Sequence, residues 1–243
     1  MKANMNKPIY EPRGRAREYG ELAVNIYTGC NHGCSYCYAP AVLHKERGAF
    51  TEVQARPGIV EAVRRQLERE KTTGKTVFLC FTCDPYPADI DTAPTREVIK
   101  AIKESGNHVK ILTKGGDRAR RDFDLLDSGD WFGATLTGVD EEEPRAAVSA
   151  ERYATIKAAH AQGVKTWASF EPVFKPALVY EYIEYADAID LFKIGKLNHA
   201  ETPPDVIKAG GWAHFGKEAE RLCREHGREF YIKDDLRAEM ERA

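Results

Sequence analysis

Three cysteines, Cys30, Cys34 and Cys37, stand in a Cys-x3-Cys-x2-Cys spacing within the run Tyr-Thr-Gly-Cys-Asn-His-Gly-Cys-Ser-Tyr-Cys-Tyr. Thiolates so close in sequence can converge on one metal centre, and Gly29 and Gly33 free the backbone to fold around it. The count is informative. A structural zinc or a fully ligated iron–sulfur cluster takes four protein ligands, whereas three leave a position open for chemistry. Spacing alone also allows a zinc site completed by His32 or His44, or buried thiols with no ligand role.

Such a loop needs a rigid frame. Residues 22–28 read as a strand leading into it, and 39–46 as a short helix leaving it. Residues 56–71 read as a helix with Ile59, Val63 and Leu67 at helical spacing, and 75–83 as a nearly continuous apolar strand. The unit then recurs: helices over 95–104, 117–126, 149–161, 177–185 and 212–226, strands over 108–113, 131–137, 164–170 and 189–194, and a closing run over 229–232. Ser149 is placed to cap its helix and Gly163 to stop it. Six strand–helix units with short links predict an α/β fold, a partial parallel (β/α)6 barrel of the TIM type. It forms a single domain over 21–243 behind a basic arm over 1–20. Barrels of this kind carry their sites at the C-terminal ends of the strands.

At 243 residues and 42% hydrophobic the chain supports one such core. A net charge of −2 does not announce a nucleic-acid binder, but a local basic groove can sit on a neutral protein. Six cysteines, three of them clustered, argue for metal over disulfides and so for a reducing, cytoplasmic setting. No apolar run reaches the length of a membrane span, and the N-terminus lacks a signal-peptide segment. A soluble monomer is expected. The arm, with Lys2, Lys7, Arg13, Arg15 and Arg17, reads as a solvated extension or as a phosphate-contacting or lid segment.

Tyr36 just before the third cysteine, Tyr38 just after it, and the strand–loop–helix setting resemble the radical S-adenosylmethionine (SAM) superfamily, most closely its spore photoproduct lyase-like branch. The resemblance implies that Cys30, Cys34 and Cys37 hold a [4Fe-4S] cluster whose fourth iron binds the amino and carboxylate groups of SAM. Tyr36 and Tyr38 would line the cofactor site. The loop after the second strand, Thr82-Cys83-Asp84-Pro85-Tyr86, resembles a Thr-x-Asp-Pro-Tyr run of that branch and makes Cys83 and Asp84 candidate SAM contacts. In the lyase a cysteine of this strand donates hydrogen. Phe81 stands at its place here, Cys83 points the same way two residues later, and Cys80 reads as core packing. Lys114 suits the SAM carboxylate, Thr135 its carboxylate or ribose, and Glu171 a ribose diol or a helix cap.

The acidic run 140–143 reads as a solvated loop, although Glu143-Pro144-Arg145 with Arg152 resembles the family's loop after strand four. The runs Gly195-Lys196-Leu197-Asn198 and 231–236 carry the resemblance toward the C-terminus. It implies reductive cleavage of SAM to a 5′-deoxyadenosyl radical, with a flavodoxin- or ferredoxin-type electron donor. Basic residues near the mouth, Lys114, Lys193 and Lys196 with the arm, point to a nucleic-acid base as substrate. The alternatives are a small molecule or peptide substrate, or a zinc-binding module without activity.

Overall fold

The computed structural model describes residues 7–198 and 200–242. The strands are β1 (Leu22–Val24), β2 (Tyr27–Thr28), β3 (Gln54–Ala55), β4 (Thr76–Leu79), β5 (His108–Thr113), β6 (Trp131–Thr135), β7 (Lys165–Phe170), β8 (Leu191–Ile194) and β9 (Glu229–Ile232). The helices are α1 (Ala39–Val42), α2 (Arg47–Phe50), α3 (Ile59–Glu70), α4 (Ala93–Glu104), α5 (Ser149–Ala161), α6 (Pro176–Tyr185), α7 (Pro204–Lys208), α8 (Gly211–Glu225) and α9 (Asp234–Arg242). Seven strands form one parallel sheet in the order β1-β4-β5-β6-β7-β8-β9. The closing run 229–232 is thus a seventh strand beyond the six expected units. β1 and β9 end the sheet and do not pair with each other, which makes the barrel partial.

Strand sequence explains the layering. β7 is buried at every position after Lys165, as a strand covered on both faces must be. Along β5, Val109, Ile111 and Thr113 are buried and join the helix side, while Lys110 and Leu112 point into the barrel. Most of the apolar core lies between strands and helices. A smaller cluster of Ala23, Phe78 and Trp167, with Tyr19, Phe81, Leu112 and Trp131 packed on it, fills the interior. Fully burying each such aromatic ring contributes on the order of 2–3 kcal/mol.

Local chemistry corrects several boundaries. The expected strand over 22–28 breaks at Asn25, whose Oδ1 accepts the N–H groups of Phe81 and Thr82 at 2.8 and 2.9 Å in place of a ladder bond. Beyond the break, β2 pairs antiparallel with β3. The strand over 75–83 ends at Leu79. Phe81 turns inward and stacks on Phe78 at 4.4 Å between ring centroids, so the alternation of faces expected through Cys83 does not hold. Residues 116–125 wind as a 3-10 helix instead of an α-helix. Ser149 is the first residue of α5 and not its cap, and its N–H and hydroxyl both donate to Asp140 Oδ1 at 2.9 and 2.8 Å. Gly163 does stop the helix, at φ +81°.

The arm is anchored to the barrel where it is described, although Lys7, Arg13, Arg15 and Arg17 stay exposed; Lys2 lies outside the described residues. Ile9 is buried, and Tyr10 exchanges backbone bonds with Ala23 at 2.9 and 2.8 Å along the edge of β1. A 3-10 turn, Gly14–Glu18, then reaches the other edge of the sheet, where Glu18 Oε1 accepts the N–H of Asp234 at 2.9 Å and Arg15 meets Asp235 at 3.5 Å. The segment straps the open side of the barrel. No helix among the described residues is long and apolar enough to cross a membrane.

Candidate active site

The cysteine loop leaves β2 and returns through α1 and α2. At Gly29 (φ +81°) a Cβ would lie 2.4 Å from the Phe50 carbonyl and 2.6 Å from that of Glu52, so only glycine lets the chain turn against α2 there. Gly33 (φ +74°) performs the second reversal with Pro144 close by. The N–H of Cys30 donates to Phe50 O at 2.9 Å. Arg47 donates from Nη1 to Cys34 O at 3.3 Å and from Nη2 to Cys37 O at 3.2 Å. Cys30, Cys34, Cys37, Pro40, Arg47 and Phe50 line one cavity of about 130 Å³.

All six cysteines are free thiols. Burial pushes the Cys30 thiol up, with Asp84 adding to it, and burial pushes Cys34 up against the pull of Lys114. A bound cation is what would ionise such thiols. Three thiols around one cavity would leave one iron of a cluster without a protein ligand, the donor set of a cluster that takes a further ligand. The proposed histidines do not complete a zinc site. His32 is buried with Nε2 3.2 Å from Arg118 Nη2 and Nδ1 3.6 Å from Asp84, while His44 is exposed.

A second wall follows β4. Asn31, inside the cysteine loop, clamps Ala88 by donating to its carbonyl at 2.6 Å and accepting its N–H at 3.0 Å. Asp84 braces this loop against β5. Its Oδ1 accepts from Tyr86 N at 2.8 Å and Thr113 Oγ1 at 2.6 Å, and its Oδ2 accepts from Lys114 N at 2.8 Å. Cys80 is buried and Cys83 half-buried, and both are free thiols. Tyr38 is half exposed and donates to Phe81 O at 2.8 Å.

The third wall is the loop after β6. Ser35 donates its N–H to Glu142 O at 3.0 Å, and Tyr36 donates its hydroxyl to Glu143. Glu143 forms an ion pair with Arg152, both side chains being fully buried, and Arg152 also donates to Thr135 O at 2.9 Å. Lys114 approaches Glu143 at 3.8 Å and lies over the Tyr36 ring at 5.7 Å. Burial opposes the charge on Glu143, yet Lys114 and Arg152 together hold its carboxyl below the ordinary range. Below the cavity, the interior of the barrel carries its own polar set. Glu171 accepts from Lys233 Nζ at 2.7 and 2.6 Å and from Tyr19 OH at 2.5 Å. Lys193 lies between the rings of Tyr19 and Tyr231, at 4.4 and 4.1 Å, and donates to Glu18 O at 2.6 Å.

The radical SAM superfamily profile matches residues 24–187, the stretch that carries the cysteine loop and most of the sheet. The chain belongs to the radical SAM superfamily. Members bind a [4Fe-4S] cluster and SAM, and the protein is an enzyme of this class. Uncharacterized protein MJ0683 of Methanocaldococcus jannaschii is 26% identical over 195 residues, covering 75% of this chain and 71% of the relative. Uncharacterized protein Rv2578c of Mycobacterium tuberculosis is 33% identical over 109 residues, 42% of this chain and 32% of that protein. A spore photoproduct lyase complexed with dinucleoside spore photoproduct superposes with a TM-score of 0.66 at 15% identity, over 91% of this chain and 79% of the lyase. A lyase mutant with bound AdoMet and the same dinucleoside gives 0.62 at 16% identity, over 93% of this chain but 64% of the lyase. Streptococcus suis SuiB bound to S-adenosylmethionine gives 0.63 at 13% identity, over 86% and 49%. At these identities the likeness is one of fold.

Within this radical SAM barrel, Cys30, Cys34 and Cys37 line one cavity, and Cys83 stands on the neighbouring loop that Asn31 clamps, outside that lining. Asp84 and Glu171 are committed to protein partners, and Glu171 caps no helix. Tyr36 spends its hydroxyl on Glu143, and Thr135 is buried beside Arg152. The acidic run is not a solvated loop, because Glu143 is buried and Asp140 starts α5. Sequence reasoning passed over Asn25, Asn31, Arg47 and Tyr19. Only the charge pattern Glu143-x8-Arg152 left a readable trace, since the others act on residues distant in the chain.

Proposed function

We propose that this enzyme abstracts hydrogen from a nucleic-acid base, in a repair or modification reaction of the spore photoproduct lyase type. The observation that carries the reading is Cys83, a half-buried thiol on the loop that Asn31 ties to the cysteine loop, in a barrel whose fold matches lyase structures holding a dinucleoside photoproduct. Cys30, Cys34 and Cys37 would hold the cluster, and Gly29, Gly33 and Arg47 shape and brace their loop. Once bound, cluster and SAM together supply a 5′-deoxyadenosyl radical through one-electron cleavage of the sulfonium. Asp84, by fixing the backbone at Tyr86 and Lys114, holds two loops of the mouth in register. Lys114 presents a cation to the cofactor carboxylate. Cys83 returns hydrogen to the product radical: its S–H bond breaks, the product C–H bond forms, and one electron from the donor with one proton from solvent restores the thiol from the sulfur radical. A flavodoxin- or ferredoxin-type protein is the proposed donor, and the enzyme is proposed to act as a cytoplasmic monomer.

One observation favours a second reading, a small molecule or peptide. Phe81 is stacked on Phe78 at the place of the lyase's hydrogen donor. The test is anaerobic reconstitution with iron and sulfide, followed by 5′-deoxyadenosine assay with and without DNA. The first reading expects DNA to stimulate release or to exchange label with it. Release indifferent to DNA but raised by metabolite fractions would transfer the case to the second. Cys83→Ala is expected to alter product partitioning while cofactor cleavage continues.

A further inference from the structure

The strap before β1 contains a charged cavity that cofactor chemistry leaves unused. It measures about 550 Å³ and is lined by Lys7, Tyr10, Glu11, Arg13 and Arg17, among others. Lys7, Arg13 and Arg17 are exposed, and among the described residues none of the three makes a hydrogen bond or ion pair. The same turn sends its other charges elsewhere. Arg15 pairs with Asp235, and Glu18 is bonded to Asp234 and Tyr231. One face of the strap anchors it to the barrel while the other gathers uncompensated cations around a tyrosine. Glu11 offsets one of these charges, leaving a local excess of positive charge on a protein whose net charge is −2.

Position gives the cavity its meaning. Tyr10 OH accepts from Asn25 Nδ2 at 2.8 Å, and Asn25 Oδ1 accepts the N–H groups of Phe81 and Thr82. The wall of the cavity is therefore two hydrogen bonds from the loop that carries Cys83. The strap cannot drift, because Tyr10 is also paired with Ala23 in the sheet. Guanidinium groups match phosphate oxygens in a bidentate fork, and unpaired cations are what a polyanion requires of a protein that otherwise repels it weakly.

We propose that this cavity anchors the phosphate backbone of a nucleic-acid strand whose base is presented to the mouth beside Cys83. The proposal rests on the nucleic-acid reading above, and one experiment separates the two. Binding of a labelled single-stranded oligodeoxynucleotide to the reconstituted holoenzyme is followed by anisotropy across a salt series. Wild type is compared with Arg13→Ala/Arg17→Ala and with Lys75→Ala/Lys217→Ala, two exposed lysines far from the strap in sequence. Circular dichroism and thermal melts establish that each variant is folded. Two phosphate contacts at about 0.7 each should lower the slope of log K against log salt by about 1.4 in the arginine variant. The lysine variant should keep the wild-type slope. Tight wild-type binding with an unchanged slope in the arginine variant overturns the anchor and leaves the substrate class standing. Absence of wild-type binding at low salt overturns both.

Discussion

Cys30, Cys34 and Cys37 come from one short loop and surround an open cavity, whereas Glu18 and Tyr19, Glu171, Lys193 and Lys233 arrive from four separate segments and bond to one another. The loop is shaped by glycine geometry, backbone bonds and the Asn31 clamp, and its cysteine side chains line the cavity. The barrel interior spends its side chains on its own cohesion. The buried Glu143–Arg152 pair sits between these two regimes, holding the wall against which Tyr36 and Lys114 rest. The difference teaches that in this molecule a sulfur facing a cavity is left available, while a buried charge more often marks construction.

The largest effect should come from the open side. Cys34→Ala is expected to abolish both the iron-dependent absorbance after reconstitution and 5′-deoxyadenosine release, while the thermal melt stays close to wild type. A large fall in melting temperature would show that the loop, too, is part of the framework. Next, Arg152→Met leaves buried Glu143 with only the Tyr36 hydroxyl and Lys114 at 3.8 Å and should destabilise the fold by about 3 kcal/mol in urea titration. Adding Glu143→Gln should recover part of that loss, and a neutral single variant would contradict the constructive role.

The smallest effect concerns pH. Burial, with repulsion from Lys110 added, lowers Lys193 from 10.5 to about 8. Below pH 8 both folded and unfolded chains hold this proton, so the penalty of burying the charge is fully present. Between about 8 and 10.5 the folded chain has released the proton and the unfolded chain retains it, so this group's contribution to stability rises with pH. The unfolding free energy of wild type minus that of Lys193→Met should therefore increase from about pH 7 to about pH 9.5. A flat difference across that range would mean that Glu18 and the flanking tyrosine rings fully replace water around the ammonium.

The cysteine spacing and the recurrence of strand and helix were legible because each is written in neighbouring residues. So were the C-terminal ends of α3 and α5, within a residue, since apolar period and glycine stops act locally. Misreadings fall where a distant group intervenes. Asn25 breaks its strand to bond the loop after β4, and Asp140 takes over the start of α5 from Ser149. Glu143 looked like one of several solvated acids until Arg152 was brought against it. The strap was ambiguous because its sequence does not say which arginines will find a carboxylate.

By itself, then, the order of residues determined a parallel α/β barrel with three closely spaced cysteines in a glycine-hinged loop, because spacing and periodicity constrain a chain over a few residues at a time. Tertiary structure alone decided which charges are spent and which stay available. Whether Asp84 or Glu171 is a brace or a ligand depends on partners tens of residues away, and burial sets the strength of those contacts only once the sheet has closed around them.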